Sequence, residues 1–97
     1  MIDKKKTPRP YYDLARLVAI YRAVEEYRQQ HGGDNPSMLD IVKLGLASTP
    51  GMVSYYYRHM QRMGMIGRTF HRSRSVQLRP LEEADPAILE HLKKEKE

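Results

Sequence analysis

The chain has no cysteine, no tryptophan and a single phenylalanine among its 97 residues. Without cysteine there is no disulfide, no thiolate metal site and no thiol nucleophile. With so little Phe and Trp, a core must be filled by the seven Tyr, the six Met and the aliphatic residues. Long apolar runs are missing as well: stretches such as Leu17 to Ile20 fall far short of the ~20 residues a membrane span needs. Met1 to Pro10 carries charge but no hydrophobic stretch of the kind that directs export. These absences predict a soluble, cytoplasmic protein with no membrane partner. Its length suits one domain.

The most informative absence is that of acidic residues between Ile41 and Leu81. That block contains Lys43, Arg58, Arg62, Arg68, Arg72, Arg74 and Arg79 and no Asp or Glu, whereas the other ten basic residues are outweighed by twelve acids. The net charge of +5 is therefore a property of the second half of the chain. Solubility is served as well by mixed signs, so a block of one sign points to a polyanionic partner.

Apolar spacing and breaker residues divide the chain. Met1 to Pro10, with Lys4-Lys5-Lys6, is too poor in apolar residues to pack and reads as a flexible basic arm (1–10). From Tyr12 to His31, Leu14, Leu17, Val18, Tyr21, Val24 and Tyr27 recur at helical spacing, with Asp13 as N-cap. Gly32-Gly33 and Pro36 end this first helix. Ser37-Met38-Leu39-Asp40 has the form of a capping box and opens a second helix that Gly45 stops near Leu44. Thr49-Pro50 places a hydroxyl at the N-cap and Pro at the first helical position of a third helix, which runs to about Met63 with Gly64 as its C-cap. The period then changes to two: Ile66, Phe70, Val76 and Leu78 share one parity around a polar His71-Arg72-Ser73-Arg74 tip, a hairpin. Asp85-Pro86 and Ile88, Leu89 and Leu92 signal a last short helix within a C-terminal segment (81–97). That apolar trio either folds back on helix one or makes a small homodimer contact.

Helix, short turn, helix, basic hairpin is the order of a winged helix-turn-helix: a mainly α domain of three helices with a two-stranded wing, here spanning residues 11–80. With Val53, Tyr57, Met60 and Gly64 turned to the core, Gly51, Met52, Ser54, Tyr55, Arg58 and Arg62 face away, and Tyr56 and Met63 lie on the flanks. A helix enters the major groove when its exposed face bears short polar groups near its N-terminus and no acids. Ser48 and Thr49, with the free N–H groups of the first turn, suit phosphate or base contact. Arg58 and Arg62 would follow the backbone, and Arg72 and Arg74 would reach a phosphate line or a narrow minor groove. Tyr55 either contacts DNA or packs on the wing.

The sequence resembles the N-terminal DNA-binding domain of LexA-type repressors. The likeness covers about Tyr12 to Leu78. It is carried by Val24-Glu25-Glu26-Tyr27, Gly33-Asp34-Asn35-Pro36-Ser37, Ile41, Gly45-Leu46, Ser48-Thr49, Val53 to Met60, Gly64-Met65-Ile66 and Arg72 to Leu78. The resemblance implies a winged helix that binds operator DNA and represses transcription, with base-reading positions at Thr49, Gly51, Met52, Ser54 and Tyr55. The turn between Gly45 and Val53 is one residue longer than usual, and Tyr55-Tyr56-Tyr57 is bulkier than the family pattern. The family's C-terminal self-cleaving peptidase has no counterpart after Leu78.

Two other functions compete: a winged-helix protein-interaction adaptor, and a DNA-binding accessory of replication or recombination that recognises shape alone. Catalysis is not expected, because Glu25, Glu26 and Asp40 have no nucleophile motif around them. Neither His59 nor His71 has another His, Asp or Glu at ligand spacing, so no metal or other cofactor is expected.

Overall fold

The computed structural model describes residues 14–68 and 76–95. Its elements are α1 (Leu14–Gln30), α2 (Met38–Lys43), α3 (Pro50–Arg62), β1 (Ile66–Arg68), β2 (Val76–Leu78), a 3-10 turn (Leu81–Glu83) and α4 (Pro86–Glu95). The architecture is mainly helical with one small antiparallel sheet, in which Ile66 pairs with Leu78, Gly67 with Gln77 and Arg68 with Val76. Among the described residues, no helix is long and apolar enough to cross a membrane.

Side-chain caps set the helix starts. The Ser37 Oγ accepts from the Asp40 N–H at 3.1 Å and the Asp40 carboxylate accepts from the Ser37 N–H at 2.9 Å, a reciprocal capping box. Thr49 Oγ1 accepts from the Met52 N–H at 3.1 Å and Pro50 occupies the first turn of α3. At α4 the Asp85 carboxylate accepts from the Ala87 N–H at 2.9 Å. The helix ends follow from glycine: α2 ends with Leu44 as its cap and α3 with Met63, one residue earlier than the glycine itself. Gly45 and Gly64 follow at φ +80° and +75°, a left-handed conformation costly for other residues. At Gly64 it lets the Met65 N–H reach back to the Met60 carbonyl at 2.9 Å and sends the chain directly into β1.

The core joins Leu17, Val18, Ile20, Tyr21 and Val24 of α1 to Ile41 of α2, Val53, Tyr56, Tyr57 and Met60 of α3, Met65, Ile66 and Val76 of the hairpin, and Ala84 and Ile88. Three positions depart from the sequence expectation. Ile20, not named in the expected stripe, is fully buried; its spacing of three from Leu17 and four from Val24 places it on that face, where α1 packs against α3 and α4. Tyr56, expected on a flank, is only 9% exposed, since it lies three residues after Val53 and four before Met60 and so shares their core-facing side of α3. Tyr27, expected on the core stripe, is half-buried, its ring stacked 3.8 Å from that of His31.

Of the two fates open to the C-terminal segment, the first is seen: α4 folds back on α1, with Ile88 fully buried and Arg22 paired to Glu95 at 3.1 Å. Leu89 stays 38% exposed. The 3-10 turn before α4 has no counterpart in the sequence expectation.

The hairpin is held to the helices by side chains as well as by packing. The Asn35 Nδ2 donates to the Val76 carbonyl at 2.7 Å, and the Arg28 guanidinium donates to Asn35 Oδ1 at 3.3 Å. The Tyr21 hydroxyl donates to the Arg79 carbonyl at 2.8 Å, and burial raises its pKa above the ordinary tyrosine value, aided by Glu25 and Glu82. An amide from the α1–α2 loop thus satisfies a β2 carbonyl where a third strand would otherwise be needed.

Candidate nucleic-acid interface

The third helix is amphipathic by construction. Its N-cap and Pro50 fix where it starts, Val53, Tyr56, Tyr57 and Met60 fix which way it turns, and the remaining positions face outward to differing degrees. Ser48, Thr49, Pro50 and Gly51 are exposed at its N-terminal end; Arg58, Gln61 and Arg62 are exposed along its length. Gly51, Arg58 and Arg62 lie seven and four residues apart, and Gln61 falls beside them, so one outward stripe runs the length of the helix with no acid on it.

Thr49 and Gly51 present the first turn differently. The Thr49 Oγ1 already caps Met52, which leaves its hydroxyl proton as the group able to donate outward. At Gly51 a Cβ would meet nothing nearer than Thr49 Oγ1 at 3.7 Å, so the fold itself does not demand glycine. The backbone there is bare. Pro50 has no N–H and those of Met52 and Val53 bond to Thr49, so the group this helix start presents to anionic oxygen is the Gly51 N–H, and the lack of a side chain permits close approach.

Three of the residues expected to face away are instead half-buried. Met52 and Tyr55 pack against the edge of the core, and Ser54 is partly covered. For Tyr55 the reason is visible in the rings: it meets Tyr56 edge-on at 5.8 Å and His59 edge-on at 4.5 Å. Such pairs contribute about 0.5–1.5 kcal/mol beyond burial, so Tyr55 is a fixed element of the surface with one side turned outward. The imidazole of His59 is held below the usual histidine pKa, chiefly by desolvation and then by the Arg62 and Arg58 guanidinium groups. A ring kept neutral beside two arginines lets the stripe carry its charge on Arg58 and Arg62.

Arg72 and Arg74, the expected wing contacts, lie outside the described residues, as do Phe70 and His71. Gln61 was missed by sequence reasoning, though its spacing of three from Arg58 places it on the same stripe. Lys43, exposed in the last turn of α2, was counted in the basic block but not assigned to the interface.

No protein family, curated protein or solved structure matches this chain. The reading of the surface therefore rests on the geometry and charge of its own residues. Among the described residues no cluster of three or more His, Asp or Glu could hold a metal ion. The surface offers hydrogen-bond donors, guanidinium groups and bare backbone to a partner rich in anionic oxygen.

Proposed function

We propose that the chain is a sequence-specific double-stranded DNA-binding module of the winged helix-turn-helix type, serving as a small transcriptional regulator of the repressor kind. In this reading α3 enters the major groove N-terminus first. Ser48, Thr49 and Gly51 approach bases and phosphates there, and Ser54 and the outward side of Tyr55 reach base edges. Arg58, Gln61 and Arg62 follow the backbone outward, and the basic hairpin with Arg72 and Arg74 lies along the flanking phosphates.

The observation that carries the proposal is the acid-free stripe on α3, set within a 41-residue block that holds seven basic residues and no acid. An adaptor surface for another protein has no need of such a block unless that protein is itself acidic.

The test is binding to duplex DNA at several salt concentrations, using both random sequence and duplexes selected from a random pool. If ~4–6 phosphates are neutralised, log K falls against log salt with a slope of about −4 to −5, and selected duplexes retain an advantage at every salt concentration. A flat salt response refutes DNA binding. A steep response with no preference for selected duplexes favours a shape-reading accessory instead.

A further inference from the structure

A helix that tells bases apart by hydrogen bonds in the major groove needs Arg or Lys for guanine, Asn or Gln for adenine, or an acid for cytosine. The first two turns of α3 carry none of these: from Pro50 to Tyr57 there is no Arg, Lys, Asn, Gln, Asp or Glu. With Val53, Tyr56 and Tyr57 buried, the positions left open after Pro50 are Gly51, Met52, Ser54 and Tyr55. The first long charged side chain, Arg58, lies seven residues beyond Gly51, about 10 Å further along the helix axis. The Ser54 hydroxyl both donates and accepts, so it bonds to more than one base and discriminates little.

These turns hold an apolar ledge instead. Met52 and Tyr55 are three residues apart, which makes them neighbours on the helix surface. Both are half-buried, rooted in the edge of the core with part of each left open. Tyr55 is a fixed wall, held edge-on by the rings of Tyr56 at 5.8 Å and His59 at 4.5 Å. Met52 is unbranched and polarisable, an adaptable wall beside it. Gly51, exposed and without a side chain, lets the helix come close enough for both to touch a partner.

We propose that α3 reads the C5-methyl group of pyrimidines, as carried by thymine or 5-methylcytosine, through Met52 and Tyr55. The inference rests on the reading of α3 as the helix that enters the groove, and adds which group on the DNA it recognises there. In the major groove the C5-methyl is the apolar group that a base pair presents. A thioether and a ring gain by covering it and gain nothing from a pyrimidine that lacks it. Sequence preference then follows the pattern of methyl groups along the groove, while Arg58 and Arg62 hold the backbone whatever the sequence.

The test compares duplexes that differ by a methyl group alone. A duplex selected by the full chain is remade with deoxyuridine in place of each thymine in turn, and the selection is repeated from a pool made with 5-methylcytosine in place of cytosine. Each methyl in contact should be worth about fourfold in affinity, the value of one buried methyl. Met52→Ala and Tyr55→Ala should each bring that ratio toward one, whereas Met52→Leu and Tyr55→Phe keep the apolar surface and should preserve it. Arg58→Ala should weaken binding with and without the methyl alike. Each ratio is measured on one protein, so a general loss of stability does not imitate it. Losses on deoxyuridine substitution assign the methyl to thymine; a preference that arises only in the methylated pool assigns it to 5-methylcytosine. Equal affinity with and without methyl groups in both arms overturns the proposal while leaving DNA binding standing, as does a ratio that survives Met52→Ala and Tyr55→Ala combined. Absence of binding to any duplex overturns both.

Discussion

Replacing Gly51 with alanine separates what the fold needs from what the proposed interface needs. Gly51 lies in the first turn of α3 in an ordinary helical conformation, and an added Cβ finds its nearest neighbour, Thr49 Oγ1, at 3.7 Å, a normal contact distance. Nothing has to move. The substitution therefore removes conformational freedom from the unfolded chain and improves helix propensity, a gain of about 0.4–1 kcal/mol. For a domain this size, that is a rise of about 2–8 °C in Tm. On the DNA side the same methyl projects from an exposed first turn into the space where backbone would approach bases or phosphates. Forcing a methyl into a fitted interface costs about 1–3 kcal/mol, which is a loss of roughly 5- to 150-fold in affinity. Differential scanning calorimetry and fluorescence anisotropy on a selected duplex read the two effects in one preparation. A higher Tm with unchanged affinity would refute the placement of the α3 N-terminus against DNA. A lower Tm would refute the local geometry at residue 51.

The three consecutive tyrosines of α3 differ in depth: Tyr57 is 1% exposed and Tyr55 half-buried, so Tyr57→Ala should cost about 3–5 kcal/mol and Tyr55→Ala about 1–2 kcal/mol. Equal losses in chemical denaturation would show the helix to be rotated otherwise. Asn35→Ala removes the donor to the Val76 carbonyl and should destabilise by about 1–2 kcal/mol, with hydrogen exchange accelerated first at the β1 and β2 amides. Folded His59 resists protonation more than the unfolded chain does, so stability is complete above the ordinary histidine value of 6.5 and is lost as pH falls through and below it. His59→Gln should flatten the acid limb of a pH series of melts between pH 7.5 and 5.

Local signals read most directly where chemistry and structure concern the same few residues. The Ser37 to Asp40 box, the Thr49-Pro50 start, the Asp85 cap and the glycines behind α2 and α3 each depend on bonds within five residues, and each is found where spacing predicts it. The change of period after Gly64 likewise marks a real pair of strands. Burial that depends on remote partners was not legible. Ile20 and Tyr56 are a different case: each sits three residues after one core residue and four before another, between Leu17 and Val24 and between Val53 and Met60, so helical spacing does carry their burial. Tyr55, Met52 and Ser54 show the difficulty, standing on an outward arc yet shielded by neighbouring rings and by the edge of the core. Asn35 reads from sequence as one residue of a breaker cluster, and its bond to β2 reaches across 41 positions.

The long-range bonds that fasten the hairpin also order events in time. The Asn35 amide and the Tyr21 hydroxyl reach acceptors 41 and 58 residues further along the chain, so neither can form until α1 and the segments after α3 have been brought together, and both rewards come after the entropy of closing those loops has been lost. The helices, joined by short turns, can assemble before either bond exists. Changes at Asn35 or Tyr21 should then act on the unfolding rate more than on the folding rate.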